Sequence, residues 1–452
     1  MFRSNNKILL WLNKLSPVQM ILFFYFIAVI FSTVLLSLPI AYQDGVEIAF
    51  IDVLFVAVSA LSVTGLTPVS IVDTFSTTGY MFIVFILQLG AVGIMAIGTF
   101  IWIMLGKKIG LRERRLIMTD QNQLKFEGMV RLVKEMIYVL FAIELISTIL
   151  LSIYYLQYYP LKKAMLHGVF SMISAISNGG FDITGESMLP FKNDYFLQFI
   201  VMILIIIGAI GFPVLIEVKE FLFSKSRNFF RFSLFTKLTT VTFLILIIVG
   251  AIGIYILDAN AFFAGKSWHE VIFYALFQSV TTRSAGLMTV DVSQFTEQNQ
   301  LFMSFLMFIG ASPSSAGGGI RTTTFALVII FIVTYARGGT SVRLFNREAH
   351  EEDLIKAVVV TLLAIAIVYL SLIIILAIEP FSVTKILFEV TSAFGTVGLS
   401  LGITAKLSMT SKIILMVLMF IGRVGVITVL FMFKKKRNVG NYHYPKERIS
   451  IG

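Results

Sequence analysis

The sequence predicts an all-α polytopic membrane protein built from four tandem units. Each unit is a span, a short re-entrant helix, a glycine-bearing loop and a second span, giving eight spans around one central pore. Three observations carry this expectation. Hydrophobic residues make up 58% of the 452 positions and charged ones only 13%, a balance foreign to soluble domains. Eight apolar segments are long enough to cross a roughly 30 Å hydrocarbon core. Between the members of each pair lies an apolar stretch too short to cross, and each such stretch runs into a cluster of small residues.

The spans are expected at Val18–Pro39, Tyr80–Leu105, Ile137–Leu156, Phe196–Ile216, Ser233–Leu257, Phe302–Tyr335, Ala357–Ile378 and Lys412–Phe433. Ser16 and Pro17 open the first as N-cap and first helical residue. The sixth is interrupted by "SPSSAGGGIRTTT", Ser312–Thr324. The short stretches Asp52–Leu61, Ala164–Ile176, His269–Thr281 and Thr384–Phe394 read as re-entrant helices, because about 10 to 14 residues cannot cross the core. The units fall at about 16–106, 130–222, 233–337 and 355–434 of a single transmembrane domain, 1–452, with 434–452 as a basic cytoplasmic tail.

The net charge of +11 invites a nucleic-acid reading, but its distribution argues otherwise. Alternating the spans places most Lys and Arg on one side, in the N-terminus, Gly106–Lys134, Lys219–Lys237, Arg337–Lys356 and the tail from Lys434. By the positive-inside rule both termini are cytoplasmic, in a multi-pass protein of the cell membrane, and no nucleic-acid partner is expected. Zero cysteines and four scattered histidines exclude thiolate or histidine metal centres and cysteine nucleophiles, so no enzyme is expected. The basic, amphipathic start leads into a full-length span and is expected to stay in the mature protein.

The four short helices run into Ser62-Val63-Thr64-Gly65, Ser177-Asn178-Gly179-Gly180, Arg283-Ser284-Ala285-Gly286 and Gly395-Thr396-Val397-Gly398. Gly65, Gly180, Gly286 and Gly398 share one column, each followed by Leu or Phe, at intervals of roughly 110 residues. Irregular backbone is tolerated at membrane depth only where protein buries it or where it lines a water-filled cavity. Four such loops can surround one axis, with the partially negative C-terminal ends of the short helices aimed at it. Loop carbonyls then replace a hydration shell, and glycine permits the angles that turn them inward. Ser62, Val63, Thr64, Gly65, Ser177, Asn178, Gly179, Gly180, Ser284, Ala285, Gly286, Gly395, Thr396, Val397 and Gly398 are thus the candidate filter, with a dehydrated monovalent cation at their carbonyls.

The fourfold span–pore–span repeat, with "TTRSAGL", "SAISNGGF" and "FGTVGL", resembles the Ktr/Trk/HKT potassium transporter superfamily over essentially the whole chain. It is most similar to the KtrB-type ion-translocating membrane subunit, since the two extra N-terminal helices usual in Trk subunits are missing. In HKT-type relatives serine at a filter-glycine position goes with sodium preference; all four positions are glycine here, which implies potassium. The resemblance also implies an intramembrane gate in the second span of the third unit, at Gly310, Ala311, Ser312, Pro313, Ser314, Ser315, Ala316, Gly317, Gly318 and Gly319. Small residues and a proline suit a loop of alternative backbone arrangements; a static packed kink is the other reading. No Gly-Lys-Ser/Thr follows the glycines, so a phosphate-binding loop is excluded.

Three further charges stand out. Arg423 matches an arginine of the family that faces the pore beneath the filter and works with the gate; snorkelling toward Lys434–Arg437 is its alternative. Arg283 is expected to point behind its loop and brace it, with Glu389 or Asp291 as partner. Glu144, inside a span, is either a polar contact or half of a scaffold salt bridge.

No dinucleotide or ATP motif and no soluble domain occur, so this chain needs no cofactor and regulation falls to another chain. The resemblance implies a homodimer in the lipid bilayer on a KtrA-type cytosolic ring of nucleotide-binding regulatory subunits carrying ATP or ADP, with K+ transported and Na+ a candidate activator. The tail suits docking or dimer contact, or an anionic-lipid anchor. A secondary symporter for another cation or small solute is the rival function, but it calls for twofold inverted repeats.

Overall fold

The computed structural model describes residues 15–93, 96–98, 100, 109–111, 114, 116, 118, 129–224, 230–432, 445 and 447. The first unit comprises α1 (Pro17–Leu36), α2 (Phe50–Leu61) and α3 (Thr77–Val92). The second holds α4 (Met129–Tyr155), α5 (Leu161–Ser177), α6 (Tyr195–Ile210) and α7 (Phe212–Phe223). The third holds α8 (Leu234–Asp258), α9 (Trp268–Thr281), α10 (Glu297–Phe308) and α11 (Thr322–Ala336), and the fourth α12 (Glu351–Ile378), α13 (Val383–Gly395), α14 (Met409–Val424) and α15 (Val426–Met432). An antiparallel hairpin of β1 (Arg343–Leu344) and β2 (Arg347–Glu348) joins α11 to α12. The basic N-terminal residues, most of the loop Gly106–Lys134 and the tail from Lys434, apart from Pro445 and Glu447, lie outside the described residues.

Helices α1, α4, α8 and α12 are each long and apolar enough to cross a membrane. Local chemistry sets their starts. The Gln19 N–H donates to Ser16 Oγ at 3.2 Å and the Ser16 N–H donates back to Gln19 Oε1 at 3.0 Å, with Pro17 at the first helical position. Such a cap is worth about 1 kcal/mol. Ser233, Ser382 and Ser408 cap α8, α13 and α14 by accepting the N–H of the residue three positions on.

The short helices α2, α5, α9 and α13 contain 12, 17, 14 and 13 residues. At about 1.5 Å per residue all fall short of the hydrocarbon core. Each packs against the helix that follows the loop of the preceding unit: α3 on α5, α6 on α9, α10 on α13, and α14 on α2. The last pairing closes the four units into a ring, and Lys412 Nζ reinforces it with an ion pair to Asp52 Oδ1 at 2.6 Å.

The second segment of each unit is not the continuous span expected over Tyr80–Leu105, Phe196–Ile216 and Lys412–Phe433. Helix α3 stops at Gly93 (φ 90°, ψ 135°), α6 at Gly211 (φ 101°, ψ 133°) and α14 at Gly425 (φ 95°, ψ 137°). Only glycine adopts that backbone without strain. Across Gly211 the chain turns by 107° between α6 and α7. The breaks share a sequence column: "LGAVG" (Leu89–Gly93), "IGAIG" (Ile207–Gly211) and "IGRVG" (Ile421–Gly425), with "IGASP" (Ile309–Pro313) in the third unit. Pro313 stands where the others have their breaking glycine, and there the interruption widens into a loop. Hydropathy misses a break that consumes a single residue inside an apolar run.

Candidate functional site

The four glycine loops meet at one centre. Gly65, Gly180, Gly286 and Gly398 have φ of 92°, 65°, 72° and 96°, and the residues two before them, Val63, Asn178, Ser284 and Thr396, have φ of 57°, 58°, 88° and 48°. Left-handed residues at alternate positions in all four loops make them conformational copies. A Cβ added to Gly180 would stand 2.8 Å from Ala285 O and one on Gly65 2.5 Å from Gly179 O; on Gly286 and Gly398 it would meet Val397 O and Thr64 O more closely still. Each glycine thus abuts the carbonyl of the next unit, and the fourth abuts the first. Four glycines and four carbonyls alternate around one closed ring.

Hydroxyls of the short helices fix the loops. Ser59 Oγ accepts from the Gly65 N–H and Ser392 Oγ from the Gly398 N–H, both at 3.1 Å, while Ser174 Oγ and Thr281 Oγ1 donate to Phe181 O and Leu287 O at 2.6 Å. Among the described residues nothing donates to the carbonyl oxygens of Val63, Thr64, Asn178, Gly179, Ala285 and Val397. These buried acceptors sit at the partially negative ends of four helices, none of which carries a basic residue in its last turn. Such a donor set fits a dehydrated monovalent cation.

The interruption at Gly310–Gly319 lies across this centre, because it is bonded to the second helices of all three other units. The Ser312 and Ala316 N–H groups donate to Ala209 O and Gly208 O at 3.0 and 3.1 Å, and the Phe212 N–H donates to Ser314 O at 2.9 Å. The Gly319 N–H reaches Gly422 O at 3.3 Å. Arg423 supplies the link to the first unit: Nη1 donates to Ser315 O at 3.4 Å and to Ala316 O, and Nη2 donates to Ala91 O at 3.1 Å and to Gly90 O. Arg423 therefore faces the centre and does not snorkel outward. Arg321, the arginine of the interrupted segment, grips the same loop through Ser312 O at 3.4 Å and Gly317 O, and donates to Arg423 O at 3.4 Å. Its position directly after "GGGI" was the available signal.

Arg283 is fully buried behind its loop, as expected, but its partner is neither carboxylate. Nη1 donates to Ile309 O at 2.6 Å, the last carbonyl before the interruption. Glu389 instead accepts from Thr404 Oγ1 at 2.9 Å and from Ser400 Oγ, and Asp291 caps a turn by accepting from the Ser293 N–H at 2.9 Å. Backbone carbonyls freed by a helix break are an arginine's alternative to an acid, and no sequence pattern reveals them. Glu144 accepts from Gln88 Nε2 at 2.6 Å, which makes it a polar contact between α4 and α3. Two residues beyond Gly180, Asp182 accepts from the N–H groups of Thr184, Gly185 and Ser187 at 2.9, 2.8 and 2.9 Å; burial pushes its carboxyl up, against the pull of these bonds.

A four-unit helical membrane body closed around such a ring defines an integral membrane transport protein. The chain belongs to the TrkH family, described as cation transport protein, whose profile matches residues 12–443; it is not an enzyme. It is 55% identical over 442 residues to the Ktr system potassium uptake protein D of Bacillus subtilis (strain 168), covering 98% of each chain. To the Ktr system potassium uptake protein B of the same organism it is 34% identical over 453 residues, covering 99% of each. Its fold is that of the potassium transporter TrkH from Vibrio parahaemolyticus, whose crystal structure superposes with a TM-score of 0.71 at 19% identity, covering 96% of this chain and 87% of that one.

Proposed function

We propose that the chain takes up potassium ions across the cell membrane through the ring of glycine loops, which serves as its selectivity filter. The observation that carries this reading is the closed alternation of Gly65, Gly180, Gly286 and Gly398 with the carbonyls of Gly179, Ala285, Val397 and Thr64, none of which accepts a hydrogen bond among the described residues. The relatives named as potassium uptake proteins support the choice of ion. The loop Gly310–Gly319 is the gate, held shut by Arg423 and Arg321.

The four units, about 16–106, 130–222, 233–337 and 355–434, make one transmembrane domain. Both termini are cytoplasmic, a reading that rests on the distribution of Lys and Arg. Both relatives are named as parts of a Ktr system, which supports a companion chain. We assign that role to a cytosolic ring of nucleotide-binding subunits carrying ATP or ADP, on which the chain sits as a homodimer through its tail, with Na+ as activator.

Rubidium uptake by the purified chain in liposomes, competed by potassium, sodium and lithium, tests the reading. Uptake is expected to be blocked by potassium far better than by sodium or lithium. Uptake blocked equally by all three, or an organic solute carried in place of rubidium, would contradict it.

A further inference from the structure

We propose that the Ser284 hydroxyl couples the ring to the interrupted loop, so that movement of the loop alters the carbonyls offered to the ion. This rests on the filter and gate reading above. Ser284 Oγ lies 2.7 Å from Thr396 O, 3.1 Å from Gly395 O, 3.1 Å from Thr396 Oγ1 and 3.3 Å from the Gly318 nitrogen. A hydroxyl has one proton to give and two lone pairs. The proton goes to a carbonyl of the fourth loop, with Thr396 O the nearest, and a lone pair accepts the Gly318 N–H. One buried side chain of the third unit thereby ties the fourth glycine loop to the interrupted segment.

Three further observations place this link under mechanical control. Arg283, the adjacent residue, holds Ile309 O at 2.6 Å, so two consecutive residues grip both ends of the interruption. Ser284 is held at φ 88°, a conformation that costs any residue but glycine. The glycines beneath are fitted to it: a Cβ on Gly317 would stand 2.5 Å from Ser284 Oγ, and one on Gly318 would stand 2.6 Å from Thr396 Oγ1. The loop therefore presses against the side chains that regulate the ring.

With the loop in place, the hydroxyl occupies a lone pair of Thr396 O that an ion would otherwise use. When the loop withdraws, the Gly318 N–H leaves, the hydroxyl is free to turn, and Thr396 O opens to the ion path. Linkage makes the effect reciprocal: an ion bound at the fourth loop displaces the Ser284 proton and weakens the hold on Gly318. Potassium at the ring then loosens the gate from above.

The chain has no cysteine, so a single thiol can report the loop. In full-length Ser314→Cys in liposomes, the rate of thiol modification is compared in potassium and in choline, alongside rubidium uptake. Potassium is expected to raise the rate by about fivefold, the lower end of ordinary coupling between sites. Adding Ser284→Gly, which suits the backbone and removes the hydroxyl, is expected to make the two rates equal; Ser284→Ala carries the same expectation, and Ser284→Thr keeps the potassium effect. A potassium effect that survives either hydroxyl deletion would overturn the proposal, as would uptake with no potassium effect in the Ser314→Cys parent. Absence of rubidium uptake from the unsubstituted chain, measured in parallel, would overturn the functional reading and this inference with it.

Discussion

Arg423 Nη2 lies 3.1 Å from the carbonyl oxygen of Ala91 while its Nη1 donates to Ser315 O and Ala316 O. One guanidinium thus joins the end of α3 to the loop that crosses the centre. In the column defined by "LGAVG", "IGAIG", "IGASP" and "IGRVG", the residue after the first glycine is Ala91, Ala209, Ala311 and Arg423. The charge replaces an alanine at a corner of the ring from which it reaches both the loop and the end of α3.

Arg423→Ala is expected to release the loop and raise rubidium efflux from liposomes by about tenfold or more. A hydrogen bond from a charged donor is worth about 1.5–3 kcal/mol, and several are lost together. Arg423→Lys should restore only part of the restraint, since an ammonium cannot bridge two sites as a planar fork does. Efflux unchanged from the parent chain would make the interruption a static kink.

Arg321→Gln should act in the same direction but not independently of Arg423. Arg321 Nη2 donates to Arg423 O at 3.4 Å and its Nη1 reaches Ser312 O and Gly317 O. Residues within one network couple by about 0.5–3 kcal/mol. A double-mutant cycle read on efflux is expected to fall short of the product of the single effects. Strict multiplication would separate the two arginines functionally.

The ion pair of Lys412 with Asp52 closes the fourth unit onto the first, with side chains only 9% and 18% exposed. Lys412→Met leaves a largely buried carboxylate unpaired, which costs about 3–5 kcal/mol. Thermal unfolding in detergent should therefore shift down in Lys412→Met and recover in Lys412→Met/Asp52→Leu. A single variant as stable as the parent would deny the pair any part in closing the ring.

Asp182 offers a pH test. Its carboxyl is raised by burial, so as the external pH falls it takes its proton earlier than an ordinary aspartate. The negative charge beside Gly180 is present above that raised pKa and lost below it. Apparent potassium affinity is expected to weaken as external pH falls through it, and Asp182→Asn should show the weakened affinity at every pH. A pH response identical in the variant would place its origin elsewhere.

Much of this architecture is legible in the chain. The Ser16–Pro17 start and the four short helices with their column of glycines follow from local chemistry and period. The breaks at Gly93, Gly211 and Gly425 do not, because an apolar run reads the same whether or not one residue within it adopts positive φ. The recurring pair of glycines three apart in those runs was the overlooked signal. Partners of buried charges were the least legible: Arg283 and Arg321 bind carbonyls that are left open only because a helix stops, and Ser284 reaches residues more than 100 positions away.

Whether the four glycine loops form one potassium site can be read by locating a heavy monovalent cation, thallium or rubidium, by anomalous scattering from crystals of the full chain. A peak is expected within the ring of Gly65, Gly180, Gly286 and Gly398, coordinated by the carbonyls of Thr64, Gly179, Ala285 and Val397, and displaced by potassium but not by sodium. A ring empty under saturating thallium, with the ion bound elsewhere in the membrane body, would contradict it.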